Sequence, residues 1–223
     1  VKAAFWHERW ENNQLGFHQQ EINGSLVEHW PALSLRANAP VFVPLCGKSL
    51  DMRWLHDAGH PVIGVEISPI ACRNFFDEAG IPFTVDALPG GLECYAGENY
   101  QLYCGDLFAL KAKHLAHVEA VFDRASLIAL PPDTRKRYAQ HMKAILPQDI
   151  SILLITVEYD QSKMSGPPHS VPDAEVEALY ADAFSLEVIA TSGFVEAHPR
   201  FQERGLAKWK ETVWRLDRGA AQP

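Results

Sequence analysis

The sequence predicts an α/β fold built on a doubly wound, mostly parallel sheet with helices on both faces, and three observations carry that prediction. Short apolar runs rich in β-branched residues, at 41–43, 62–65, 118–122 and 151–157, alternate with stretches of helical periodicity, which is the pattern of successive βαβ units. The run 151–157 is the most hydrophobic strand of the chain and therefore belongs at the sheet centre or where both strand faces are covered. Leu45, Gly47, Glu66, Asp106 and the pair Asp123-Arg124 each fall where a predicted strand ends. Open α/β sheets bind ligands outside the carboxyl ends of their strands, where strand order reverses, so that coincidence marks a binding site.

Residues 5–17 place Trp6 and Trp10 four positions apart on one helical face, and Gly16 breaks that helix. A second helix, 23–30, lines up Leu26, Val27 and Trp30 before Pro31 ends it. After the first strand, Asp51 opens an amphipathic helix through Met52, Trp54 and Leu55, and the strand 62–66 follows. Pro69 suits the first turn of a helix that carries Ile70, Ala71, Phe75 and Phe76 and stops near Gly80. The third strand is expected at 83–85, Pro89-Gly-Gly91 marks a loop, and 92–95 with 100–103 read as a short hairpin or extension. Strand four at 118–123 leads to a periodic helix at 133–146 and then to the strand 151–157. A proline-rich loop, 165–172, precedes a helix capped by Asp173 that buries Val176, Leu179 and Tyr180. Two late strands, 186–190 and 209–216, close the order, the second alternating as an antiparallel strand does. Neither repeat nor linker interrupts it, so residues 1–218 are expected to form one domain and 219–223 a disordered tail.

The 223 residues suit a single α/β domain, and 47% apolar with 22% charged residues is ordinary for a globular chain. A net charge of −8 without a lysine-arginine block argues against a nucleic-acid partner, whose phosphates demand a basic face. No apolar segment approaches the roughly 18 residues of a membrane span, and Val1-Lys-Ala-Ala has no signal-peptide core. A chain that opens at Val1 without an initiator methionine points to processing or to a chosen boundary. Cys46, Cys72, Cys94 and Cys104 form no C-x-x-C pair, and the ten histidines form no ligand spacing. No metal site is expected, and a reducing cytoplasm and a monomer are.

Glu66 lies nineteen residues beyond Gly47, about the spacing at which a βαβ unit returns a carboxylate beside a ribose. The bland alternative is a strand-end acid on a solvated loop. One glycine in the first turn is too few for G-x-G-x-x-G, which leaves an NAD-dependent oxidoreductase nothing obvious to cradle a pyrophosphate. Gly47-Lys48-Ser49 suggests a phosphate-binding loop, yet the glycine required five positions earlier is Phe42. A cofactor with a ribose and no phosphates fits what remains, and S-adenosylmethionine is such a molecule.

The chain resembles the thiopurine S-methyltransferase family, most nearly its bacterial members, over almost its whole length. The resemblance rests on Trp6-His-Glu-Arg-Trp10 with Gly16-Phe-His-Gln19, on Pro44-Leu-Cys-Gly-Lys-Ser-Leu-Asp51, on Gly64-Val-Glu66, on Asp123-Arg124, and on Gly166-Pro-Pro168 with Val171-Pro172. It implies a class I S-adenosylmethionine-dependent methyltransferase: a Rossmann-like, seven-stranded, mostly parallel sheet with an antiparallel last strand, and an N-terminal helical lid at residues 1–30. It further implies methyl transfer to the sulfur of aromatic or heterocyclic thiols, with selenium or tellurium species and tellurite resistance as bacterial extensions. By position, Trp10, Leu45, Glu66 and Arg124 become cofactor contacts, Asp106 and Leu107 lie along the adenine, and Phe17 faces the small-molecule thiol. Arg124 has three open roles: the methionine carboxylate, backbone carbonyls beside the site, or an anionic substrate.

A heteroaryl thiol ionises more readily than a cysteine, so no side chain is required as a base, consistent with the lack of a Ser/His/Asp or Cys/His constellation. The aromatic N-terminal segment and the proline-rich loop are the expected lid. The competing readings are a cofactor-binding module without turnover and an NAD-dependent oxidoreductase.

Overall fold

A computed structural model describes residues 3–16, 18–196, 199–203 and 205–219, with the side chain of Arg200 left aside. In chain order the strands are β1 Val41–Val43, β2 Val62–Glu66, β3 Thr84–Leu88, β4 Leu92–Gly97, β5 Tyr100–Cys104, β6 Ala120–Asp123, β7 Ile150–Glu158, β8 Ser185–Thr191, β9 Val195–Glu196 and β10 Lys208–Arg218. The helices are α1 Ala3–Glu11, α2 Gly24–His29, α3 Leu50–Asp57, α4 Pro69–Ala79, α5 Pro132–Ile145, α6 Asp173–Tyr180 and α7 Pro199–Gln202.

All ten strands belong to one sheet, ordered β3-β4-β5-β2-β1-β6-β7-β10-β8, with β9 on the outer end of β10. The five strands from β5 to β7 are parallel. The last strand, β10, runs antiparallel between β7 and β8, which completes the expected seven-stranded body. Connections from β1 lead first to β2 and β5 on one side and then to β6 and β7 on the other, so strand order reverses between β1 and β6. Ser126 Oγ spans that reversal by donating to the Pro44 carbonyl at 2.7 Å.

Period-two alternation explains the double winding. Val41, Val43, Ala120, Phe122, Leu153 and Ile155 pack on one face with α2, α3 and α4 through Leu26, Met52, Leu55, Phe75 and Phe76. Phe42, Val121, Ile152 and Leu154 pack on the other with α5 and α6 through Tyr138, Met142, Val176 and Leu179. Helix ends follow local chemistry. Ser68 caps α4, Pro69 fills its first position, and Gly80 ends it in the left-handed region at φ 68°.

Three expectations change. The third parallel strand is β5, because 84–88 instead pairs antiparallel with β4 as an exposed extension of the sheet. β-Propensity gives extended backbone without its direction. The first helix ends at Glu11 rather than Gly16, since Asn13 turns left-handed at φ 52°. Asp51 stands in the first turn of α3 as expected, and Ser49 caps that helix by accepting the Asp51 N–H. Asp173 caps nothing and accepts from Lys210 Nζ at 2.6 Å and Thr212 Oγ1 at 3.1 Å, which ties α6 to β10. The expected tail beyond Gly219 lies outside the described residues.

Gly64 is where β2 allows the first turn to close over it. A Cβ there would stand 2.7 Å from both Cys46 Sγ and Leu102 Cδ2. Gly64→Ala should therefore destabilise the fold by about 1–3 kcal/mol through overpacking, seen as a lower urea midpoint with an unchanged slope.

Candidate functional site

The site begins with a carboxylate that burial has taken out of water. Glu66 ends β2 with only 6% of its surface exposed. Its Oε2 accepts the Gly47 N–H at 2.9 Å and its Oε1 the Ser68 N–H at 2.8 Å. Burial outweighs these bonds and pushes its pKa up to about 7. Each oxygen keeps a second lone pair, so the group has acceptor capacity for two hydroxyls.

Gly47 faces Glu66 from the turn after β1 and takes φ 53°, which a side chain rarely adopts. Leu45 adopts the same region at φ 45° without being glycine, at a cost of roughly 1–2 kcal/mol. Such strain is held by its surroundings and puts an apolar side chain into the mouth of the site. Trp10 of α1 is buried and lies over this turn, its ring 3.4 Å from where a Gly47 Cβ would be.

Arg124 follows β6 and is aimed by Asp51. Its Nε donates to Asp51 Oδ2 at 3.0 Å, while Asp51 Oδ1 accepts the Asn23 N–H at 2.8 Å ahead of α2. The carboxylate is 2% exposed and the guanidinium side chain 15%, so the pair is held without solvent freedom. The terminal nitrogens of Arg124 have no other partner among the described residues, and Arg124 lines the cavity. Asp123 serves the turn itself. It accepts the Ser126 N–H and the Tyr138 hydroxyl at 2.6 Å, and its burial raises its pKa.

These groups open on a cavity of about 980 Å³ at the strand-order reversal. The cavity spans the sheet from β2 to β10: Glu66 of β2, Leu45, Gly47 and Lys48 after β1, Arg124 after β6 and Trp10 form one end, and Ile155 and Val157 of β7 with Trp209 and Glu211 of β10, Pro167 and Phe201 the other. Four of the six expected cofactor contacts, Trp10, Leu45, Glu66 and Arg124, are thus brought together. Asp106 and Leu107 are not on the cavity wall. Asp106 is exposed and accepts the Phe108 N–H, and Leu107 is buried in the core, although Gly105 beside them donates to the Glu66 carbonyl at 2.8 Å. Phe17 lies outside the described residues.

Two histidines border the cavity. Burial and Lys48 lower the pKa of His18, and burial and Arg135 lower that of His169, so both are neutral bases at pH 7. Lys48 pairs with Glu78 of α4 at 2.5 Å and Ser49 caps α3, which leaves neither to a phosphate. Among the described residues no three His, Cys, Asp or Glu side chains are grouped to hold a metal, and no helix is long and apolar enough to cross a membrane.

The proline-rich loop is fixed rather than free-standing. Tyr159 Oη donates to the Pro168 carbonyl at 2.6 Å, Arg135 Nη1 to that of Ser170 at 2.9 Å, and Gln161 Nε2 to that of Met164 at 2.5 Å. Gln161, Tyr159 and the buried Arg135 lie outside the proline motif, so the motif alone did not announce this anchoring. Two site residues were also missed. Asp51 read as a helix opener, although Ser49 two positions earlier already offered a cap. No motif singles out Glu211, although it occupies the inward phase of β10 between Trp209 and Val213.

Comparison with known proteins agrees with the fold and shows the family. The profile of the thiopurine S-methyltransferase family matches residues 1–219. A thiopurine S-methyltransferase of Marinobacter nauticus is 46% identical over 214 residues, 92% of this chain and 94% of that one. One of Pseudomonas aeruginosa is 45% identical over 219 residues, 98% and 100% of the two chains. A probable thiopurine S-methyltransferase of Yarrowia lipolytica is 45% identical over 218 residues, 97% and 100% of the two chains. Among solved structures, a SAM-dependent methyltransferase from Anabaena variabilis superposes with a TM-score of 0.66 at 14% identity, over 98% of this chain and 96% of that one. A Burkholderia thailandensis 1,6-didemethyltoxoflavin-N1-methyltransferase, solved with S-adenosylhomocysteine, gives 0.63 at 16% over 96% and 87%. At such identities these two speak for the fold alone.

A carboxylate with a pKa of about 7 is half protonated at neutrality, and hydroxyl donors need its ionised form. Affinity for S-adenosylhomocysteine should therefore climb by up to about tenfold per pH unit below pH 7 and level off above it, with Glu66→Gln abolishing the slope in calorimetry. The unliganded fold should lose stability as pH rises from about 4.5 to 7, because the folded state there holds a proton that the unfolded chain releases.

Proposed function

We propose, on the premise that the chain belongs to the thiopurine S-methyltransferase family, that it transfers the methyl group of S-adenosylmethionine to the sulfur of aromatic and heterocyclic thiols such as thiopurines. The observation that carries this reading is the pairing, in one cavity, of a ribose-type carboxylate end with an apolar end built by Ile155, Val157, Phe201 and Trp209. Its volume stands at the upper end of the roughly 300–1,000 Å³ of ligand sites, which leaves room for donor and acceptor together.

S-adenosylmethionine supplies an electrophilic methyl on a sulfonium. The residues present fit it. Glu66 takes the ribose hydroxyls, Leu45 and the face of Trp10 cover the sulfonium region, where an aromatic ring attracts a cation, and Arg124 offers two free nitrogens to the amino-acid carboxylate. Asp106 and Leu107, just past the end of β5 and off the cavity wall, are proposed to lie along the adenine once the donor is bound, and Phe17 to face the thiol. The chain's main contribution is alignment and exclusion of water, and an acceptor that arrives as thiolate needs no proton acceptor.

The lid is α1 with the turn up to Asn23. Beyond that point the segment is anchored, since Ser25 Oγ donates to Glu211 at 2.7 Å, Trp30 Nε1 to His60 at 3.1 Å, and Arg215 to the Ala32 carbonyl at 2.8 Å. The working form proposed is a cytoplasmic monomer acting on a small molecule, with no nucleic-acid or membrane partner.

An acceptor screen with methyl-labelled donor should show turnover of heteroaryl thiols. Binding of S-adenosylmethionine without turnover of any thiol, selenium or tellurium acceptor would instead support a binding module, and tight binding of NAD an oxidoreductase. Hydrogen exchange over residues 5–20 should slow on adding S-adenosylhomocysteine while 24–33 stays unchanged; equal slowing of both would remove the lid assignment.

A further inference from the structure

Glu211 stands at the acceptor end with no role in the reading above. On β10, Trp209, Glu211 and Val213 share one face, and Glu211 is paired across to Val157, which with Ile155 lines the cavity. An acid on an inward strand phase between a tryptophan and a buried valine is disfavoured unless something uses its charge. Glu66 and Glu211 are the two acids on the cavity wall among the described residues. Glu66 is engaged by backbone N–H groups at one end. Glu211 at the other has one oxygen, Oε1, held by Ser25 Oγ at 2.7 Å, and its second oxygen has no partner among the described residues.

We propose that Glu211 is a catalytic residue for acceptors that bind as thiones, accepting the proton of a ring N–H adjacent to the C=S group. This rests on the methyl-transfer reading and names the acceptor class: neutral heterocycles with an N–H beside the sulfur, in preference to thiols bearing an anionic substituent. A thiolate needs no base, but a neutral thione does. As the thione sulfur forms its bond to the methyl carbon, the donor's C–S⁺ bond breaks and its electron pair stays on the departing sulfur as a neutral thioether. The N–H proton passes to Glu211, and the N–H pair becomes the C=N bond of a neutral S-methyl product. A sulfonium cation and a carboxylate anion are thereby both discharged, which a water-poor cavity favours. Ser25 fixes one oxygen and so points the other at the acceptor.

The test is Glu211→Gln, which keeps an oxygen for Ser25 and the shape of the side chain. With a thione probe such as 2-mercaptobenzimidazole, single-turnover rate at saturating donor should fall by roughly a hundredfold, and the probe's calorimetric affinity for the S-adenosylhomocysteine complex should fall too. With 4-nitrothiophenol, ionised and lacking N–H, the rate should change less than about threefold, and a mercaptobenzoate should be used better than by wild type. Unchanged S-adenosylhomocysteine affinity reports an intact fold. Equal losses on both acceptor classes, or no loss on the thione, would overturn the proposal. Failure of wild type on every thiol would instead remove the methyl-transfer reading beneath it.

Discussion

A carboxylate taken out of water must find donors in the protein or in a ligand, and that constraint at Glu66 organises the rest of this structure. Two backbone N–H groups approach it, from Gly47 and Ser68. The first requires a left-handed glycine in the turn after β1, the second a capped start to α4 directly after β2. Gly64, one residue before Val65, must lack a side chain so that Cys46 of that turn can settle against β2. The geometry leaves the carboxylate partly satisfied and raised in pKa, the state that a ribose would complete in the function proposed.

The two ends of the cavity are joined through one short segment. Asn23 donates to Asp51, which holds Arg124, and Ser25, two residues after Asn23, holds Glu211. The start of α2 therefore brackets both polar anchors, while α1 and its tryptophans cover the opening. In the reaction proposed, alignment of donor and acceptor would depend on that bracket as much as on the groups that touch them. A carboxylate-guanidinium pair this buried contributes direction more dependably than stability, since its attraction is offset by desolvation.

Much of this was legible in the sequence because period and punctuation report local structure directly. The strands at 41–43, 62–66 and 150–158 and the helix starting at Pro69 are where alternation, proline and glycine place them. The residues Trp10, Leu45, Glu66 and Arg124 share a cavity because strand ends converge at a reversal of strand order, a property of the fold rather than of any one motif. Direction and partnership were hidden. Residues 84–88 have strand chemistry whether the neighbour runs parallel or antiparallel, and Asp51 looks like no more than a helix opener until Arg124, 73 positions away, is placed beside it. Glu211 shows the intermediate case, since its inward phase is readable on β10 while the cavity it faces is not.

The most direct test is a crystal structure with S-adenosylhomocysteine and a heteroaryl thione. Both ribose hydroxyls should lie within about 2.5–3.0 Å of the Glu66 carboxylate, with Gly47 and Ser68 still donating to it. The amino-acid carboxylate should sit on Arg124 and the ring N–H should be directed at Glu211. A ribose placed away from Glu66, with that carboxylate keeping only its two backbone donors, would contradict the role given to Glu66.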